Sequence, residues 1–274
     1  MFDTTKIVEI AERVARQAGR AVTDQWNAYK LDVKDKGTTD VVTAADLAAD
    51  RIISTAIRTA FPGHRIMSEE GPSENEVDYS GPLWIIDPID GTANYVRGHG
   101  YFGISIAFAF DGVVQAGCVH APILGETFLA VKGGGAKLNG SSIKVASPNT
   151  LLRSIVSTGF PHEKSDIDHL VRRLSVLLRS CQDIRRGGSP VLDISYVGTG
   201  RLDAHTETLF PWDVAAAGLV ATEAGAERSN LVPVPIDVPA DLFGEEVVFS
   251  APDIHEELVD RLRKLSPSLS MRHP

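Results

Sequence analysis

The stretch WIIDPIDGTANY, Trp84 to Tyr95, sets two aspartates three residues apart at the end of an apolar run, stiffens the link with Pro88 and follows at once with Gly91-Thr92. Two carboxylates held this close repel one another unless something positive lies between them, so the segment points to a cation. The apolar run reads as a strand that delivers Asp87 to its carboxyl end, where the chain leaves the sheet. Pro88 fixes its own φ and biases Asp87 toward an extended conformation, so the Ile89 carbonyl and the Asp90 carboxylate take defined directions. Two carboxylates and a carbonyl are hard oxygen donors of the kind Mg²⁺ accepts, and no neighbouring Cys or His offers a softer metal a home. Gly91 lets the backbone approach a ligand, and the N–H groups of Gly91 and Thr92 beside a bound cation make a phosphate cradle. Taken alone, D-x-x-D-G is more often an Asx turn than a site.

Working outward, more acids sit at element ends. MSEEG closes the apolar run RIM with Glu69 and Glu70, and PWDVAAAG opens a helix with Asp213 in its first turn. The small residues Ala215, Ala216 and Gly218 let that helix pack closely. By itself Asp213 is a first-turn acid favoured by the helix dipole; so is Asp46 in TAAD, and Lys36 in KDKGTTD is a solvated charge.

Around these acids the chain divides into two patterns. Apolar residues at Ile7, Ile10, Val14, Ala18, Ala21, Val22 and Trp26 predict an amphipathic helix over 5–29. A second helix begins near Thr43, where the hydroxyl and the acid three residues on form a capping pair, and FPGH stops it. From about 65 to 145 the chain reads as antiparallel strands: LWII, FGISIAFAF, VVQAGCVHA, ETFLAVK and AKLNGSSIKV, joined by turns too short for parallel crossovers. After about 150 strands and helices alternate, with helices over 165–180, 190–199 and 213–224 and a last one from Asp253. These patterns give an α+β half, 1–148, carrying most of the acids, and an α/β half, 149–274, supplying Asp213, packed as one unit.

Composition narrows the function. The 274 residues are 43% hydrophobic and 23% charged, and no run approaches the roughly 18 apolar residues of a membrane span. The start MFDTTKIVEI lacks a secretory pattern, so the reading is a soluble, cytoplasmic protein with no membrane partner. A formal charge of −9 argues against nucleic acid as a partner. Cys118 and Cys181 lack metal or redox spacing and read as buried thiols. A Ca²⁺-binding loop fails on spacing, because its ligands would come from one short segment and these acids are scattered.

VVTAADLAAD, SEE, WIIDPIDGTANYVRG, GGGAKLNG, GSPVLD, GRLDAHTE and PWDVAAAG, in that order, resemble the inositol monophosphatase family of Mg²⁺-dependent, lithium-sensitive phosphatases over nearly the whole chain. The resemblance implies a layered αβαβα sandwich of the inositol monophosphatase and fructose-1,6-bisphosphatase type, generally a homodimer. It implies two Mg²⁺ ions and a loosely held third. Glu69, Asp87 and the Ile89 carbonyl would hold one ion, and Asp87, Asp90 and Asp213 a second. Thr92 with Asp46 would orient and deprotonate the attacking water, and Gly91 and Thr92 would receive the phosphate. Glu70 would stand just outside the ligand set, and Lys36 would border the site near the third ion. Gly188 and Ser189 would line the sugar side, and Glu207 would accept hydrogen bonds from substrate hydroxyls. Pro190-Val191 and His205-Thr206 depart from the family's usual small and aromatic residues. The expected reaction is hydrolysis of a small phosphorylated polyol, first inositol-1-phosphate, with histidinol phosphate, fructose-1,6-bisphosphate and 3'-phosphoadenosine 5'-phosphate as alternatives; a catalytically silent regulatory protein is the alternative of another class.

Overall fold

The computed structural model describes residues 2–27, 33–35, 41–72, 77–160 and 167–265. Helix α1 (Thr4–Asn27) leads to a two-stranded antiparallel ribbon, β1 (Val33–Asp35) and β2 (Val41–Thr43), and then to helix α2 (Ala44–Ala60). A seven-stranded sheet follows in chain order: β3 (Arg65–Ser68), β4 (Pro82–Asp90), β5 (Gly103–Phe110), β6 (Val113–Ala121), β7 (Glu126–Val131), β8 (Gly135–Leu138) and β9 (Ser141–Ser142). A short helix, α3 (Thr92–Val96), leaves the end of β4. The remaining elements are β10 (Ile155–Thr158), α4 (Ile167–Ser180), β11 (Asp183–Arg185), α5 (Pro190–Gly198), β12 (Ala204–Glu207), α6 (Pro211–Glu223), β13 (Glu227–Asn230), β14 (Val247–Ser250) and α7 (Pro252–Arg263). Their strands form a second sheet of order β11-β10-β12-β14-β13.

Three apolar cores lie between the layers. On α1, Ile7, Val14, Ala18 and Val22 are fully buried, and with Ala49, Ile53 and Ile57 of α2 they cover Trp84, Ile86, Ile104 and Ile106 on one face of the large sheet. Each such isoleucine contributes about 1.5–3 kcal/mol of apolar burial. Ile85, Ala107 and Val119 on the opposite face pack against α5 and α6, whose other sides reach Val247 and Phe249 of the second sheet. The third core joins that sheet to Leu177 of α4 and to Ile254 and Leu258 of α7. The order is therefore helix, sheet, helix, sheet, helix, the layered αβαβα sandwich expected from the sequence.

The small face of α6 works by contact. A Cβ on Gly117 of β6 would stand 2.8 Å from the Ala216 carbonyl oxygen, so the bare strand backbone lets α6 settle directly on the sheet.

The structure adds detail to the sequence reading and departs from it in places. The strand holding LWII does not leave the sheet at Asp87 but continues to Asp90. The second sheet is mixed: β10 runs parallel to β11 and β12, whereas β14 is antiparallel to β12 and β13. Strand β13 was not anticipated, because ERSN carries no apolar alternation. Within the antiparallel run, β3 is the exception, pairing parallel with β4.

Candidate metal centre and its cavity

The site starts from an irregularity in β4. In a regular strand, side chains alternate, and residues three apart face opposite sides. Asp87 pairs with Ser105 and Asp90 with Gly103, so β4 spends one more residue than β5 over this interval. That bulge falls on Pro88-Ile89, where the proline has no N–H to give a ladder, and it turns both aspartates toward one cavity. The Ile89 amide donates to Asp87 Oδ1 at 3.0 Å, which locks the bulged turn.

Asp213 arrives from the other side, in the first turn of α6. Its Oδ2 accepts the Phe210 N–H at 2.8 Å and fixes the carboxylate at the helix start. Asp87, Asp90 and Asp213 are all buried, and one oxygen of each lies within 4.8 Å of the others. Among the described residues none of the three forms an ion pair. Burial, followed by the charges of Glu69, Asp90 and Asp213, raises Asp87 well above the usual carboxylate range. Burial and the Asp213 charge do the same to Asp90, against the Ser189 hydroxyl and the Val191 N–H, which both donate to its Oδ2. Asp213 is pushed up to about 7, chiefly by burial. Like charges buried together at this spacing are stable only when protonated or when sharing a cation, and the donors are all oxygen. The set fits Mg²⁺.

Beside the cluster, Thr43 caps α2 and forms the expected capping box with Asp46, whose Oδ2 accepts the Thr43 N–H at 2.8 Å and its hydroxyl at 2.5 Å. The other oxygen, Oδ1, accepts the Thr92 hydroxyl at 3.0 Å, and the same hydroxyl lies 3.0 Å from the Ile89 carbonyl oxygen. Burial raises the Asp46 carboxyl, against these hydrogen bonds. Gly91, at φ +91°, turns the chain from β4 into α3; a Cβ there would stand 2.9 Å from the Gly188 carbonyl oxygen.

These groups open on one cavity of about 430 Å³. Of the residues anticipated from the sequence, Glu69, Asp87, Ile89, Asp90, Gly91, Thr92, Gly188, Glu207 and Asp213 line it, and Asp46 is attached through Thr92. Glu70 and Ser189 do not line it. Ser189 is fully buried with its hydroxyl on Asp90, so its place is behind the acid cluster and not on the sugar side. Lys36 lies outside the described residues. Sequence reasoning missed Arg186, Asp193 and the stacked pair Phe210–Trp212, ring centroids 5.0 Å apart, which also border the cavity. The available signal was the pair of arginines directly before Gly187-Gly188.

Fold and site define a layered αβαβα protein with a buried, all-oxygen acid cluster at a strand bulge. The chain belongs to the inositol monophosphatase family, whose family model matches residues 3–266. It is 34% identical to an inositol monophosphatase of Dictyostelium discoideum over 263 residues, 94% of each chain. It is 39% identical to a protein named Nus factor SuhB of Vibrio cholerae over 227 residues, 80% of this chain and 83% of that one. Among solved structures it is similar to an inositol monophosphatase of Anabaena, with a TM-score of 0.81, 30% identity and coverage of 97% and 98% of the two chains. Family membership supports a phosphatase. No described helix is long and apolar enough to cross a membrane.

Proposed function

We propose that the protein is a Mg²⁺-dependent phosphomonoesterase of a small polyol phosphate, with inositol-1-phosphate the first substrate to test. The observation that carries this reading is the trio Asp87, Asp90 and Asp213, buried together with no ion pair among the described residues beside a cavity of about 430 Å³. When bound, Mg²⁺ lowers the pKa of a water molecule and offsets charge on the phosphate and the leaving alkoxide. Glu69, Asp87 and the Ile89 carbonyl would hold one ion; Asp87, Asp90 and Asp213 would hold a second, with Glu70 outside the set and Lys36 near a third.

The chain's own task is to place the nucleophile and move its proton. Thr92 Oγ1, anchored on Asp46, accepts a proton from the attacking water while its own passes to Asp46 Oδ1. The burial that raises the Asp46 carboxyl makes it the better base for that transfer. The N–H groups of Gly91 and Thr92 face the phosphate oxygens, and their preset orientation avoids a reorganisation cost during reaction. Gly188 and Glu207 border the alcohol, and Glu207 accepts its hydroxyls. The family likeness also supports a homodimer.

The test is phosphate release from inositol-1-phosphate, histidinol phosphate, fructose-1,6-bisphosphate and 3'-phosphoadenosine 5'-phosphate, with Mg²⁺ and with EDTA. Release from inositol-1-phosphate that needs Mg²⁺ is expected; preference for another ester reassigns the alcohol. A regulatory protein on the same scaffold has in its favour the name Nus factor borne by the Vibrio relative. Silence of the whole panel would favour that second reading.

A further inference from the structure

His205 lies on β12 with no exposed surface, two residues before Glu207. Its Nδ1 is 2.9 Å from the Ser157 hydroxyl, while its Nε2, equally buried, has no hydrogen-bond partner among the described residues. Glu207 Oε2 lies 3.5 Å from that Nε2, and Asp193 Oδ2 lies 3.9 Å from Nδ1. A buried polar atom left unpaired costs about 1–3 kcal/mol, so this nitrogen calls for a partner. Glu207 is in reach, and a few tenths of an ångström close the contact.

The protons can be placed. If the Ser157 hydroxyl donates to Nδ1, the ring carries its hydrogen on Nε2 and presents it to the carboxylate. The opposite tautomer would send the Ser157 hydroxyl to the Ala204 carbonyl, 3.4 Å away, and, with Glu207 ionised, set two lone pairs facing each other. Burial and the Asp213 charge raise Glu207 to about 8. With Glu207 ionised, Nε2–H donates to it; with Glu207 protonated, the ring takes the other tautomer, Glu207 donates to Nε2, Nδ1–H donates to the Ser157 oxygen and the Ser157 hydroxyl turns to the Ala204 carbonyl. Either way one proton lies between the two groups. From another side, the Glu207 carboxylate lies directly against the backbone of Gly159, where a Cβ would overlap it.

We propose that His205 is a positioning residue for substrate choice: anchored by Ser157, it holds Oε2 of Glu207 while the carboxyl group rests against Gly159, and leaves Oε1 to accept a hydroxyl of a polyol phosphate in the cavity. The proposal deepens the polyol-phosphate reading and rests on it. A chain with an apolar ring at position 205 could pack that space but could not fix the direction of the carboxyl group.

The test compares inositol-1-phosphate with phenyl phosphate, an ester without ring hydroxyls, at saturating Mg²⁺. In His205→Phe, KM for the inositol ester should rise about 10-fold, the worth of one hydrogen bond, and the rise should exceed that for phenyl phosphate by roughly fivefold or more. His205→Gln, which keeps an N–H, should stay within about threefold of wild type. Gly159→Ala, a backbone-tolerated change whose methyl displaces the carboxylate, should reproduce the selective KM effect and decides the matter if His205→Phe does not fold. Equal effects on both esters, or none, overturn the proposal. Independently of activity, the ¹⁵N signals of the His205 ring should shift in Glu207→Gln while those of His120 stay in place; an unmoved His205 signal overturns the contact. Absence of phosphate release from either ester by the wild type would instead overturn the phosphatase reading, leaving the nitrogen signals to decide the pairing.

Discussion

Two sets of buried acids face the same cavity on different terms. Glu207 and Asp193 have partners from the protein itself. Burial raises them to about 8 and about 6, against the nearby Arg186 charge, while the Tyr101 hydroxyl donates to Asp193 Oδ1 at 2.7 Å and His205 stands against Glu207. Asp87, Asp90 and Asp213 accept hydrogen bonds on their outer oxygens and otherwise confront one another. A fold that buries acids and supplies their partners has built a recognition surface. One that buries acids against each other has left a position for a cation. In the proposed reading the contrast separates chemistry, assigned to the trio, from choice of alcohol, assigned to Glu207.

The largest effect should come from the trio. Asp90→Asn removes one charge at nearly constant shape, and kcat should fall by about 10³-fold or more, the several kcal/mol a metal centre contributes to transition-state charge. Urea unfolding of the metal-free variant should show no loss of stability, because a repelling charge has gone; retained turnover would break the distinction between the two sets. Thr92→Ala takes away the hydroxyl between water and Asp46, and kcat should drop by roughly 10²-fold with KM little changed, read by steady-state kinetics.

Smaller effects concern the frame. Gly91→Ala forces a side chain into a left-handed backbone and against the Gly188 carbonyl, so unfolding free energy should fall by about 1–3 kcal/mol. His120, which meets the Thr127 hydroxyl at 2.9 Å, is held down to about 4 by burial. The folded chain thus binds fewer protons than the unfolded chain between pH 6.5 and 4. Stability from this group is complete above pH 6.5 and is lost as pH falls toward 4, at up to about 1.4 kcal/mol per pH unit. Denaturant midpoints across that window should show the slope in the wild type and a shallower one in His120→Asn.

Much of this was legible because it is local. Thr43 and Asp46 cap a helix across three residues, the PWD motif opens another, and the alternation of Phe102 to Phe110 marks a strand. What escaped reading depends on partners distant in the chain. The bulge that turns Asp87 and Asp90 to one side exists only in register with Ser105 and Gly103 on β5. Ser189 joins the sugar-side motif in sequence, yet α5 begins there and Asp90, 99 residues away, claims its hydroxyl. Strand β13 owes its existence to pairing with β14, since its own side chains carry no strand pattern. His205 stood out only as a departure from the family's usual residue; its neighbours Ser157 and Asp193 come from other elements.

The central claim is that the trio formed by the β4 bulge and the start of α6 is a cation site. Calorimetric titration of the metal-free protein with Mg²⁺ tests it most directly. The wild type should bind at least one Mg²⁺ per chain, and Asp213→Asn should lose that binding while keeping its circular dichroism spectrum. Equal Mg²⁺ binding by the two proteins would contradict the account.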